Sequence, residues 1–307
     1  MAKSGATYPH GFNDGVTVRG VPLINLHSKT VRWVDSAAGV NGGGTFNRPW
    51  STVQSAITQC DAGDIILVKE GHTETLTTAN TITQSKAGVS VVGLGQGNRR
   101  PTFTFTPTSV GDNPWIVSGA NVAIENIIGK PGLNALTNPF NISAIGVLLD
   151  IEWQDVTATT MEAATVILTT AAADKLTINL VYRGLTAGNQ VVAPIKLVGC
   201  NDGRINVDFY GIASTAVVNF ITTLSTDIIV TGYAYNSGTT DGSKLVVDTI
   251  TGSLWYANIY DGAAAAVMSG GSGAAMASDD VSTVAGLLVA PVADVTTTTN
   301  MRDSVGI

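Results

Sequence analysis

The 307-residue sequence predicts an all-β chain wound as a solenoid, opened by one short helix and flanked by extended arms. Three observations predict it. A lone helical pattern near 51–59 precedes a train of short apolar runs, placed to cover the open end of a coil. The runs between 64 and 262 centre on Ile66, Val91, Ile124, Asp150, Ile178, Asn206, Ile229 and Tyr256, about 27 residues apart on average. A period of that size marks units that hide their core only by stacking. Thr, Val, Ala, Gly and Ile dominate while Leu, Glu and Lys are thin, which favours strands over helices.

Residues 1–30 carry no clear periodicity and read as an N-terminal arm, with strand-forming runs near Val16-Thr17-Val18 and Leu23-Ile24-Asn25-Leu26. The solenoid is expected over 31–262. It opens with an extended segment at Trp33-Val34 and a Gly-rich turn at Gly42-Gly43-Gly44. Ser51-Thr52-Val53-Gln54 fits a capping box, and Trp50, Val53, Ala56 and Ile57 share one helical face. Asp61-Ala62-Gly63-Asp64 stops the helix, and Ile65-Ile66-Leu67-Val68 follows as a fully apolar strand.

Ile124, Ile151, Ile178 and Ile205 recur at intervals of 27 and are expected to stack on one inner sheet. Asn179 and Asn206 each follow one of these isoleucines directly, and with Asn126 they read as turn asparagines, the alternative being an amide ladder at a bend between Asn179 and Asn206, which are in register. Ile127-Ile128-Gly129, Tyr182-Arg183-Gly184, Phe209-Tyr210-Gly211 and Tyr260-Asp261-Gly262 end units alike, each with a glycine for a tight corner. A β-sandwich, with strands at closer spacing, is the rival architecture. Residues 263–278 form a Gly/Ala/Ser linker, and 279–307 a short helix ended by Pro291 and a C-terminal arm.

Charged residues make up 13% of the chain, about half the usual share. So few charges imply that much surface is buried against copies or partners. The net charge is −7, and Arg99-Arg100 stands as the basic cluster, which argues against nucleic acid as a partner. No run of about 18 apolar residues reads as a membrane span. The opening MAKSGATYPHGFNDG has no apolar run of the signal-peptide kind. Cys60 and Cys200 form no metal or disulfide pattern and read as buried thiols.

The block 33–75 resembles the opening of right-handed parallel β-helix proteins of the pectate-lyase-like class. The matching stretches are Gly42-Gly43-Gly44-Thr45, Ser51 to Ile57, Gly63-Asp64-Ile65-Ile66 and Gly71-His72-Thr73-Glu74, the last with its Glu one residue early. The turn Val91-Val92-Gly93-Leu94-Gly95 and the run Val122-Ala123-Ile124-Glu125-Asn126-Ile127 are similar to the next coils of such proteins. The resemblance covers about two thirds of the chain. It implies the fold and says little of activity, because the fold hosts enzymes, adhesins and inert virion parts. The plan of arm, helix, coil and arm resembles phage head-decoration, head-fibre and tailspike proteins. That resemblance implies a homotrimer in the virion, made in the host cytoplasm, with other virion proteins such as the major capsid protein as partners.

A glycosidase needs two carboxylates about 5–9 Å apart. Glu125 and Glu152, 27 residues apart, are the weak catalytic candidates. A lyase would want converging carboxylates and a basic residue, for which Asp202, Arg204 and Asp208 are available but not obviously convergent. His10, His27 and His72 have no nucleophile partner in a recognised motif. The Gly-rich strings lack the Walker Lys-Ser/Thr and read as turn glycines. The chain is therefore expected to be a non-enzymatic capsid decoration, cement or head-fibre protein, with no cofactor or metal. The alternative is a tailspike or tail fibre that binds or cleaves host polysaccharide. Val21, Leu23, Ile24, Leu26, Val292 and Val295, apolar residues in the arms, are the expected assembly contacts.

Overall fold

A computed structural model describes residues 30–38, 42–156, 162–184 and 191–236. It also describes the backbone of strands Val16–Val18, Val21–Leu23, Lys244–Asp248, Trp255–Asp261, Val267–Ser269 and Leu288–Val289. The chain forms a parallel β-solenoid. An 11-stranded sheet runs from Val31–Val34 to Trp255–Asp261, and a 9-stranded sheet from Ile82–Gln84 to Leu288–Val289. Every pairing in both sheets is parallel, which excludes the sandwich. The strands Val16–Val18 and Val21–Leu23 form a separate antiparallel pair. Within 263–290 the described strands Val267–Ser269 and Leu288–Val289 extend the smaller sheet, and the rest of the expected linker, helix and arm lies outside the described residues.

The core is built from columns of side chains, one rung per coil, at the spacing of about 4.8 Å between paired strands. The main inward column is Ile66, Val91, Ile124, Leu149, Ile178, Ile205 and Val230, all buried. The smaller sheet contributes Ile82, Trp115, Phe140, Ile167, Ile195, Val218 and Val246, also buried. Each such aliphatic rung removed from water contributes about 1.5–3 kcal/mol.

The expected isoleucine stack is corrected in one place. Ile178 and Ile205 are direct partners, but Ile124 pairs with Leu149, and Ile151 pairs with Ile127 and Leu180. The coil between Ile124 and Leu149 is two residues short of the mean, and the next is two residues long. Equal spacing therefore lands Ile151 on the neighbouring inward column.

The strand Ala123–Pro131 explains why the coil changes shape there. Its first residues pair with Ser90–Gly93 and its last with Thr102–Phe105, so two strands of the preceding coil merge into one. Asn126 is the extra residue of a bulge at the junction, in the left-handed region at φ 57°. Its side-chain amide donates to the carbonyls of Gly93 (2.7 Å) and Gly95 (3.1 Å), tying the corner to the coil below. Gly129 is not a corner glycine as expected. It lies inside this strand opposite Trp153, and a Cβ there would stand 2.6 Å from the indole ring. Beyond it, Trp153, Tyr182 and Phe209 form an inward aromatic column, with Tyr182 and Phe209 stacked at 5.0 Å.

The helix spans Val53–Gln59 and buries Val53, Ala56 and Ile57, with Trp50 packed beside them. It contacts Val31–Val34, Ile65–Val68 and Ile82–Gln84, the early strands of the two sheets. Its N-cap is Thr52, whose hydroxyl accepts from Ser55 N–H, so the expected box is shifted by one residue. Gln54, the expected box partner, instead accepts from Thr83 N–H at 2.7 Å and ties the helix to the smaller sheet.

Candidate functional site

The sequence-predicted acid pair does not form a facing pair. Glu125 stands opposite Asp150, and Glu152 stands one outward rung further along, opposite Ile128 and Val181. Glu152 is braced by cations. Arg100 donates to its Oε2, and Arg183 Nε (2.8 Å) and Gln154 Nε2 (2.7 Å) donate to its Oε1. Burial alone would raise its pKa, but the hydrogen bonds from Gln154, Arg100 and Arg183 outweigh burial and hold the carboxyl below its usual value. A carboxylate held ionised this way is poorly suited to act as a general acid.

Asp202 sits in a turn at φ 55°, while Arg204 opens the strand Arg204–Gly211 and Asp208 lies on its outer face near the far end. The three are strung along the strand. Among the assembly candidates, Val21 and Leu23 lie in the N-terminal strand pair, and Ile24, Leu26, Val292 and Val295 lie outside the described residues.

The outer face of the larger sheet carries columns of polar side chains. Across successive coils one outward column reads Glu125, Asp150, Asn179, Asn206, Thr231. Asn179 and Asn206 are thus strand rungs, not turn residues. The edge column reads Gln154, Arg183, Tyr210, Tyr235. Tyr210 and Tyr235 are 40% and 43% exposed, and the Tyr210 and Tyr233 rings lie 5.7 Å apart. The Arg183 guanidinium sits 5.7 Å from the Tyr210 ring centre while its Nε holds Glu152. Sequence reasoning missed this strip because its members are a full coil apart.

A second group was also missed. Asp155 Oδ1 accepts from Trp153 Nε1 (3.0 Å) and Ala163 N–H (3.4 Å), and its Oδ2 from Tyr182 Oη (2.6 Å). Burial pushes Asp155 up to about 6 against those hydrogen bonds. Glu162, 5% exposed, is pushed up to about 7 by burial and by the charge of Asp155. The same surroundings raise the Tyr182 phenol well above its ordinary value, burial first and the Asp155 charge next. Two carboxyls thus share a poorly hydrated corner, and among the described residues the hydrogen-bond donors are aimed at Asp155.

The motifs that carry the family resemblance do structural work. His72 is buried, and its Nδ1 accepts from Ser36 N–H at 2.9 Å, so Nε2 carries the proton and donates to Glu74 at 3.2 Å. Glu74 also accepts from Val53 N–H at 2.9 Å, at the start of the helix. Asp64 accepts from the N–H groups of Thr30 and Asp61 and from Arg32 Nε. Gly-His-Thr-Glu and Gly-Asp therefore fasten the first coil. Cys60 and Cys200 are free, buried thiols, each raised to about 11 chiefly by burial.

Among the described residues no group of three or more His, Cys, Asp or Glu side chains is placed to hold a metal ion. None of their helices is long and apolar enough to cross a membrane. Compared with protein-family models, curated proteins and solved structures, the chain matches none.

Proposed function

We propose that this chain is a structural virion protein, a right-handed, pectate-lyase-like β-helix that decorates or cements a phage capsid as a homotrimer. The observation that carries this reading is the contrast between the two outer faces. The smaller sheet's outward column is Thr83, Ile116, Asn141, Leu168, Lys196 and Asn219, with one charge in six rungs. The larger sheet's outer side, several columns wide, carries Glu125, Asp150, Glu152, Arg183, Arg204 and Asp208 spread over four columns, two of them adjacent in the column Glu125, Asp150, Asn179, Asn206, Thr231. A slender prism with one nearly uncharged side buries that side by packing against copies of itself. Asn219 Oδ1 is buried without a hydrogen-bond partner among the described residues, and burial already lowers the Lys196 pKa.

In this reading the helix Val53–Gln59 closes the first coil, and the arms at 1–30 and 291–307 hold the trimer to the major capsid protein. The solenoid is a rigid spacer that needs no cofactor. The test is a chain lacking residues 1–28, added to particles stripped of the native protein. The truncated solenoid keeps its strand spectrum by circular dichroism and fails to bind. Full occupancy by the truncated chain would show that the N-terminal arm is not the anchor.

A further inference from the structure

Along one edge of the solenoid the smaller sheet passes into the larger one through short turns. The strand ends set these turns at 118–122, 143–147, 170–176, 198–203 and 221–227. They stack one above another and bond upward. Asn121 N–H donates to Ile145 C=O (2.9 Å), Gly146 to Asp174 (2.8 Å), Lys175 to Asn201 (2.8 Å) and Asp202 to Thr226 (3.0 Å). Gly199, at φ 63°, lets the turns close up, since a Cβ there would stand 3.1 Å from the Ala171 methyl and 3.0 Å from that of Thr223. The Thr226 hydroxyl adds a bond to Asn201 Oδ1 at 2.6 Å. The edge is therefore a straight, rigid ridge that follows the solenoid axis.

Charge is laid out unevenly across this ridge. None of the five turns carries a charged residue among its first four, which directly follow the smaller sheet. That strip instead exposes large apolar groups, Ile145 at 42% and Leu224 at 45%, with Ala171 and Ala172 exposed between them. Exposed aliphatic groups in line along a rigid ridge mark a contact surface. The charges of the turns, Asp174, Lys175, Asp202 and Asp227, all come later, beside the larger sheet. With Arg204, which opens the next strand, that flank holds three carboxylates against two cations. The other flank is the smaller sheet's outward column, whose one charge in six rungs is Lys196. Neither Lys196 nor Asp202 makes an ion pair among the described residues.

A ring of identical copies joins unlike patches, so one flank of each copy meets the other flank of the next. When the symmetry axis parallels the solenoid, groups at the same level meet. Lys196 and Asp202 lie on the same coil, on opposite sides of the ridge. The ridge thus offers a second copy an apolar line and flanks of opposite sign.

We propose that this ridge of turns lies on the threefold axis of the trimer, with Ile145 and Leu224 packed against their counterparts and Lys196 of each copy facing Asp202 of the next. The inference rests on the trimer reading and adds where the axis runs and which flanks meet.

The test uses the full-length chain with Ile145→Cys, Leu224→Cys or, as a control on the far column of the larger sheet, Tyr210→Cys. Each is treated with a three-armed maleimide and run on a denaturing gel, and the parent's mass is checked by light scattering. Cys60 and Cys200 are buried, so the parent stays uncrosslinked. Ile145→Cys and Leu224→Cys give covalent trimers, and Tyr210→Cys gives none. Separately, Lys196→Glu raises the concentration needed for trimer formation about 10-fold, and adding Asp202→Lys restores it, with the circular dichroism spectrum unchanged throughout. A parent that is a single chain by light scattering refutes the trimer reading and this inference with it. A trimeric parent whose Ile145→Cys and Leu224→Cys chains give no covalent trimer, or whose Tyr210→Cys chain gives as much, overturns the placement of the axis and leaves the trimer standing. A charge swap that fails to restore assembly overturns the pairing of the flanks.

Discussion

Replacing Glu162 with Gln should stabilise the protein above neutral pH and leave it unchanged in acid. Glu162 is buried beside Asp155, and its pKa rises from 4.5 to about 7. A carboxyl whose folded pKa is raised binds more protons in the folded chain than in the unfolded one, so stability falls as pH rises through the gap. The contribution is fully present below about pH 4.5 and is lost by the time pH has passed 7. At about 1.4 kcal/mol per pKa unit the ceiling for Glu162 is about 3 kcal/mol. Sharing of charge with half-buried Asp155, and water at the edge of the corner, bring the working figure to about 1–2 kcal/mol. The assay is urea unfolding at fixed protein concentration, followed by tryptophan fluorescence, at intervals from pH 4.5 to 8.5. The wild type should lose stability across pH 5–8, and Glu162→Gln should lose less and exceed it by about 1–2 kcal/mol at pH 8. A wild-type curve that is flat or rises over this window refutes the reasoning. So does a variant less stable than its parent at pH 8.

Gly129→Ala forces a methyl to within 2.6 Å of the Trp153 ring and should cost about 1–3 kcal/mol, seen as a lower melting temperature. A neutral result would mean the indole shifts freely. Asn126→Ala removes two side-chain hydrogen bonds and places Ala at φ 57°, so it should cost about 2 kcal/mol or more, with Asn126→Gly recovering part of the loss. Urea unfolding of the three proteins checks the order. Leu168→Arg puts a second positive charge beside Lys196 in this sparsely charged column and should dissociate the oligomer in sedimentation velocity without unfolding the chain.

The coil was legible in the sequence because each turn must present an aliphatic group at the same inward site. Ile66, Val91, Ile124 and Ile178, taken from the sequence as strand centres, share one column. The exact register was not legible, since coils of unequal length average to the same period and misplace Ile151 by one column. Gly129 looked like a corner because its sequence neighbours resemble those of Gly184 and Gly211; only the facing indole gives it another role. Glu125 and Glu152 lie on neighbouring strands but not opposite each other, because Glu125 faces Asp150 and Glu152 faces Ile128. What occupies Glu152 was hidden, because Arg100 reaches it from 52 residues away. The Asp155–Glu162 corner gave no motif either, since its raised pKa values come from burial among side chains of adjacent coils.

A solenoid with one sparsely charged side is proposed to exist as a trimer. The most direct test is the molar mass of the full-length chain in solution by light scattering, across about a hundredfold range of concentration down to the micromolar level. The expected mass is three times the 31.6 kDa of the single chain, with Leu168→Arg returning the single-chain value. A parent protein that stays at 31.6 kDa throughout would contradict it.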